Sequence, residues 1–373
     1  MQIKLKGLLI IAVLCSTQLF SQTETTFNPT IKVKALVHSR FEASLTDSID
    51  VQNKFVSDPV AVNFRMRRIE LRTDIKLNDK FSGVVRVQLP ELKGANIGRT
   101  IELAYMEYKW SDKLGLRAGQ FKMPYELDEL TSHEDLRMVD RGTTSVLFVS
   151  NNLASYQPGV MLFGTFMKEK TPLNYYLAVA NGSSRAVNYD DNSQKNIVGR
   201  LEYTFIKGFR IGVNAQNISL KDQNTNSFGA DLSIQKNITK KTKLILEGEY
   251  IQGINTSDFT KAIADDTTGA DFFIDDYTMG GYFGQALFKI DIDKPWCKTF
   301  EVGGKFENTD PNTFVSNNNN DYTTITGNIG FTFLPDNMAR LQLNIVNTSW
   351  ASPVSPGGID ASNMFIAQFQ LKI

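Results

Sequence analysis

The sequence predicts an all-β protein: a transmembrane antiparallel β-barrel of about sixteen strands, with short periplasmic turns and long external loops. Three observations carry this expectation. Segments of alternating apolar and polar residues recur along the chain, their connections alternate between short and long, and the N-terminus reads as an export signal.

The alternation is clearest at the end of the chain. Phe365, Ala367, Phe369, Leu371 and Ile373 share one parity, and Ile366, Gln368, Gln370 and Lys372 share the other. A period of two sends the two sets to opposite faces of a strand. At the start, Ile31, Val33, Ala35, Val37, Phe41 and Ala43 oppose Lys32, Lys34, His38, Arg40 and Glu42. Ile69, Leu71, Thr73 and Ile75 oppose Arg68, Glu70, Arg72 and Asp74, and the pattern returns at Phe209–Gln216, Phe228–Gln235, Ile325–Phe333 and Ala339–Ile345. Sixteen such segments are centred near residues 37, 70, 85, 105, 118, 163, 177, 200, 212, 231, 247, 284, 303, 328, 343 and 368.

Loop lengths sort by side. Short connections carry turn residues, as at Asn78–Lys80, Ser111–Lys113, Ile206–Gly208, Asn237–Lys241 and Leu334–Asn337. Long ones fall between them, at residues 44–61, 90–99, 122–157, 182–195, 218–226, 253–277, 309–321 and 349–362. A soluble sandwich has no reason to sort its loops in this way, whereas a membrane barrel does.

Energetics agree. Strand Lys and Arg fall on the parity opposite the apolar stripe, and on the lipid face near the midplane each would cost roughly 2–4 kcal/mol. Arg65, Arg67, Glu107 and Lys109 break the pattern and are placed near strand ends, where that cost fades. Tyr105, Tyr108, Trp110, Tyr203, Phe205, Phe331 and Phe333 flank short turns, as an interfacial aromatic belt would. About sixteen strands enclose an aqueous channel rather than a packed core, so the polar parity lines a pore.

The N-terminus places the chain in an export pathway. Lys4 and Lys6 precede a short apolar core, Leu8–Leu14, and then small and polar residues up to Ser21 and Gln22. The core is too short to span a bilayer. We read residues 1–21 as a cleaved signal peptide and 22–373 as one barrel of the bacterial outer membrane; Leu14 is too large for lipoprotein processing at Cys15. Cleavage leaves Cys297 as the one cysteine, so no intramolecular disulfide staples the fold. Removing Lys4 and Lys6 from a chain of 40 basic and 40 acidic residues leaves a slight acidic excess, which gives no nucleic-acid signal. Two distant histidines, His38 and His133, are poor material for a metal centre or a catalytic triad. No cofactor, metal or enzymatic activity is expected. Ser132-His133-Glu134-Asp135 is the one plausible seed of a hydrolase site, and Asn188–Asn192 and Asn317–Asp321 lack defined calcium-ligand spacing.

One segment carries a family resemblance. Gly119-Gln120-Phe121-Lys122-Met123-Pro124-Tyr125 leads into Glu126, Asp128 and Glu129, and Val139-Asp140-Arg141-Gly142 follows. This resembles the phosphate-selective porin O and P family, where a G-x-x-K-x-P-[FY] segment precedes a Glu-rich run and an E-R-S-like end. Arg67-Arg68, Glu102–Tyr105 and Val179-Ala180-Asn181-Gly182 match in order along most of the mature chain. Asp140 keeps the charge of the E-R-S end, whereas Gly142 supplies no hydroxyl. The resemblance implies a homotrimeric porin whose third external loop folds into the barrel. The length of 122–157 and its dense charge point the same way, since a long charged loop would be well solvated inside an aqueous lumen.

Parity makes Lys32, Lys34, Arg40, Arg68, Arg72, Arg86 and Arg117 candidate pore-lining, anion-attracting residues. Lys122, Glu126, Glu129, Arg137, Asp140 and Arg141 form the candidate constriction loop. Arg and Lys rings favour anions, and guanidinium matches phosphate geometry. The expected function is passive passage of small hydrophilic solutes with a preference for anions such as phosphate. A non-selective diffusion porin and a barrel used for surface binding through its loops remain alternatives, which conductance and ion preference separate.

Overall fold

The computed structural model describes residues 29–93, 97–169, 171–183, 185, 186, 190, 193–315, 319–353 and 358–373. The expected signal peptide lies outside them, as do most of Asn188–Asn192 and the start of Asn317–Asp321. Sixteen strands close on themselves in chain order: β1 (Thr30–Ser44), β2 (Val62–Lys76), β3 (Phe81–Gln88), β4 (Ile101–Ser111), β5 (Leu114–Lys122), β6 (Tyr156–Phe166), β7 (Leu173–Ala180), β8 (Asn196–Ile206), β9 (Phe209–Leu220), β10 (Gln223–Asn237), β11 (Thr242–Ile254), β12 (Thr278–Lys294), β13 (Cys297–Asp310), β14 (Tyr322–Leu334), β15 (Ala339–Trp350) and β16 (Ala361–Lys372). Every neighbouring pair is antiparallel, and β1 pairs with β16 through contacts such as His38 with Gln370 and Phe41 with Ala367. Closure removes the unpaired sheet edges, which hydrocarbon could not satisfy. Among the described residues no helix is long and apolar enough to cross a membrane; the strands do the crossing.

All sixteen expected segments are strands, and along most of each strand the parity sorts as read. Exposed apolar side chains such as Val33, Leu71, Val213, Ile329 and Phe369 point outward. Their polar neighbours point inward. Aromatic side chains cluster outward near the short turns, with ring centroids 4.5 Å apart for Phe81 and Tyr108, 4.6 Å for Tyr203 and Phe205, and 5.5 Å for Phe300 and Phe331.

Three expectations need correction. Residues 218–226 are not a long loop: β9 and β10 meet in a two-residue hairpin at Lys221 and Asp222, both with positive φ (50° and 61°). The Asn- and Ser-rich flanks that read as loop are ladder residues, as in Asn217 opposite Asn226 and Ser219 opposite Asn224. Next, Arg65 and Arg67 are lumenal. A bulge opposite His38 and Ser39 shifts the β1–β2 register, so the parity of β2 changes there and both guanidiniums reach inward carboxylates. In β4, Glu107 meets Arg117 inside the barrel, and Tyr105 turns inward with it, leaving Met106, Tyr108 and Trp110 on the lipid face.

Candidate functional site: the barrel lumen

The lumen is divided by the connection between β5 and β6. Its base is closed by the Met123 N–H donating to Ser155 O (2.8 Å). Between them run two short helices, α1 (Leu127–Leu130) and α2 (Thr143–Ser150). Apolar residues at both ends of this loop anchor it. Met123, Tyr125, Phe148 and Leu153 are fully buried against inward residues of β6–β12, including Met161, Ala178, Val198 and Ile251. Phe259 from helix α3 (Thr256–Asp265), in the connection after β11, joins the same cluster. A hydrophobic core therefore fills one side of the barrel, where a uniform polar lining was expected.

The charged middle of the loop is tied to the rest of the wall. Glu249 of β11 accepts from the N–H groups of Leu127 (2.6 Å) and Asp128 (3.2 Å), satisfying orphan donors at the start of α1. Lys305 of β13 pairs with Asp128 at 2.8 Å. Arg137 meets Glu247 at 2.8 Å. On β15, Arg340 donates to Leu136 O (2.9 Å), and the Asn344 side chain accepts from Val139 N (3.0 Å). Arg40 of β1 grips Asp140 at 2.6 Å and Val139 O at 3.1 Å. Arg141 turns back on the loop itself, pairing with Glu129 (2.7 Å) and donating to the carbonyls of Asp128, Glu129 and Thr131. Lys122 donates to Glu129 O at 2.5 Å. Glu126 accepts from Ser145. All six candidate loop residues are thus inside the barrel. Most of the loop's charges are buried by ion pairs, contrary to the solvated lumen expected from sequence.

Buried charges set the local electrostatics. Burial opposes ionisation of Asp140, but Arg40 and Arg67, at 2.6 and 3.5 Å, hold its carboxyl well below the usual range. Glu126 goes the other way. Burial, then the neighbouring Glu249 and Glu129, push its carboxyl well above the usual value. Burial and then Arg68 and Arg141 push His133 well below the ordinary imidazole value, and the neutral ring is hydrogen-bonded to Glu70. At the E-R-S-like end the Gly142 N–H donates to Asp128 (2.6 Å), and a side chain there would displace the ends of Glu307 and Lys305.

Glu70, Glu102 and His133 place one ligand atom each within 4.8 Å of one another, a donor set that could hold a metal ion. Sequence spacing gave no hint of it. Guanidinium already balances this charge: Arg86 lies 2.9 Å from Glu102 and 3.7 Å from Glu70, and Arg185 lies 2.7 Å from Glu102. A cation would have to enter against both arginines, so the cluster reads as an ion-pair network.

The candidate pore-lining residues divide by their partners. Lys34 and Arg72 both pair with Asp74 at 2.6 Å, Arg86 with Glu102, and Arg117 with Glu107 at 2.5 Å. Lys32 and Lys34 line a cavity of about 660 Å³ at the short-turn end, together with Asp74, Lys76 and Lys109. Arg68 differs from the paired residues. It is buried, only 4% exposed, its contact with Glu70 is 4.0 Å, and its Nη1 has no hydrogen-bond partner among the described residues. Arg67 beside it also has an unpartnered Nε. Beyond the loop, on the long-loop side, Arg65, Asp140, Arg141 and Lys305 border a second cavity of about 270 Å³. Sequence reasoning missed Arg67 because a bulge leaves no periodic signature; the doubled arginine was the available signal.

Comparison with known proteins agrees with this architecture. The anion-selective porin from Comamonas acidovorans superposes with a TM-score of 0.58 at 9% identity, covering 93% of this chain and 100% of that one. The outer-membrane channel DcaP of Acinetobacter baumannii gives 0.56 at 11% identity over 95% and 99% of the two chains. OmpT of Vibrio cholerae, an outer-membrane protein in its trimer form, gives 0.55 at 8% identity over 92% and 99%. At these identities the likeness is one of fold. No curated protein matches the sequence. The sequence profile of the phosphate-selective porin O and P family matches residues 46–288, well over half of the chain. A closed sixteen-strand barrel, a lumen crossed by an ion-paired loop, and that match together make this chain a member of the phosphate-selective porin O and P family, a channel of the outer membrane.

Proposed function

We propose that the channel passes small hydrophilic solutes with a preference for anions, phosphate among them, and that Arg68 with Arg67 is its filter. The observation that carries this reading is the buried guanidinium of Arg68 beside Arg67: its Nη1 has no hydrogen-bond partner among the described residues, and its contact with Glu70 is a long 4.0 Å. A desolvated cation without a hydrogen-bond acceptor is costly unless something anionic visits it. A guanidinium fork suits phosphate oxygens. The fold shared with an anion-selective porin supports the reading. We further propose that residues 1–21 are removed on export and that three copies assemble, a state supported by the trimeric V. cholerae neighbour.

The test is the reversal potential of purified protein in a planar bilayer under a salt gradient. Anion preference that weakens in Arg68→Glu supports the filter. Conductance without ion preference leaves a general diffusion porin and removes the filter, and absence of conductance from folded protein sinks the channel itself.

A further inference from the structure

On the short-turn side of the loop, the inner wall of β4–β7 carries aromatic rings where a charged lining would be expected. Tyr105, Phe163 and Tyr176 point inward, pack against the underside of the buried apolar cluster and stay partly exposed. Their placement is built. Phe163 stands opposite both Gly115 and Tyr176 in the ladders, and a Cβ on Gly115 would lie 2.6 Å from the Phe163 ring. The tip of the ring therefore takes the space that a side chain at that position would need. The Arg117 guanidinium sits between rings, 4.4 Å from the Tyr105 centroid and 5.5 Å from that of Phe163.

The rings continue a basic wall. Lys109 lies 5.7 Å over the Phe163 ring, and the same exposed lysine lines the 660 Å³ cavity with Lys32 and Lys34. Ring faces and cationic side chains thus alternate along one side of the path from the periplasmic mouth to the loop; Glu107 between them is taken up by Arg117 at 2.5 Å, whereas Lys109 is in no ion pair among the described residues. Hydrated inorganic ions gain nothing from aromatic surface, and rings left open to a water-filled channel are unfavourable. A solute carrying both a flat apolar face and an anionic group satisfies both halves.

We propose that this wall is a binding track for aromatic carboxylates, with the ring stacked along Phe163 and Tyr176 and the carboxylate on Lys109. The proposal rests on the anion-channel reading and adds aromatic organic anions to the solutes that the channel favours.

The experiment compares block of the single-channel current by benzoate and by acetate, which share a charge and differ in the ring. Phe163→Leu and Tyr176→Leu keep apolar bulk and remove the ring face, and heat-modifiable gel mobility verifies that both fold. Expected are tighter block by benzoate than by acetate, and a loss of about 3- to 10-fold in benzoate affinity in the leucine variants. Acetate block and the reversal potential in potassium chloride should not move. Equal block by the two anions in the unaltered protein overturns the proposal, as does a benzoate preference that survives both substitutions. Loss of anion preference in the potassium chloride gradient would instead strike the filter reading, through a separate measurement.

Discussion

Arg68 and Arg72 look equivalent in sequence, four positions apart on one strand face, yet their surroundings assign them different weights. Arg72 donates to Asp74 at 2.6 Å, whereas Arg68 has only a 4.0 Å contact with Glu70 and a free Nη1. A unit charge about 10 Å from an ion's path, at an effective dielectric of about 20, is worth roughly 1.7 kcal/mol. Arg68→Gln should therefore lower the anion-to-cation permeability ratio roughly tenfold, and Arg72→Gln much less, as read from reversal potentials. Asp140 invites the opposite test. It neutralises Arg40 and Arg67, so Asp140→Asn should raise anion preference while loosening the loop by about 1–2 kcal/mol, discounted for the partial exposure of Asp140. Because Asp140 is held below the usual carboxylate range, its stabilisation is present above about pH 4 and is lost only as pH falls further through the lowered value. Hydrogen exchange at residues 136–141 across pH 3–7 checks both parts.

At the scale of elements, helix α1 depends on a carboxyl that prefers its proton. Glu126, beside Glu249, Glu129 and Asp128, has a raised pKa, so the docked loop binds more protons than a released one. Its docking is strongest below the ordinary glutamate pKa and weakens as pH rises toward the raised value. Glu126→Gln should abolish that alkaline loosening, which current noise between pH 5 and 9 would report. A noise profile unchanged by the substitution would remove Glu126 as the cause. The β9–β10 hairpin offers an independent test. Lys221 and Asp222 both adopt left-handed conformations that Asn and Gly accept more readily. Lys221→Asn with Asp222→Gly should stabilise the barrel by roughly 1 kcal/mol, measured by the urea midpoint of intrinsic tryptophan fluorescence in lipid vesicles.

For the whole molecule, two solvents meet across one layer of strands. Ile329 lies near the middle of β14 and faces outward, so Ile329→Arg should cost about 2–4 kcal/mol of stability in the bilayer. Its inward neighbour Asn328 touches Asn344 at 2.6 Å, and a substitution there should act on the lumen instead. The loop between β5 and β6 lies inside the barrel, with contacts that reach β1, β2, β11, β13 and β15. Replacing residues 124–154 with a short turn should raise single-channel conductance several-fold and remove the alkaline rise in current noise.

Much of this was legible in the chain itself. The outward or inward sense of most strand residues follows from a period of two, a local property that needs no knowledge of partners, and so sixteen strands and the lumenal basic residues could be read directly. Loop length singled out 122–157, which the structure places inside the barrel. What the chain could not state depends on contacts between distant residues or on breaks in the period. The bulge opposite His38 and Ser39 turned Arg65 and Arg67 inward, and the actual face of Tyr105 emerged only from its ladder with Gly119. Arg40 and Asp140 are a hundred positions apart, so nothing local foretold that one would quench the other while Arg68 kept a free Nη1. Composition and periodicity decide which face of the wall a charge occupies; only the closed barrel with its loop inside decides which charges an ion can still meet, because pairing is set by distance in space.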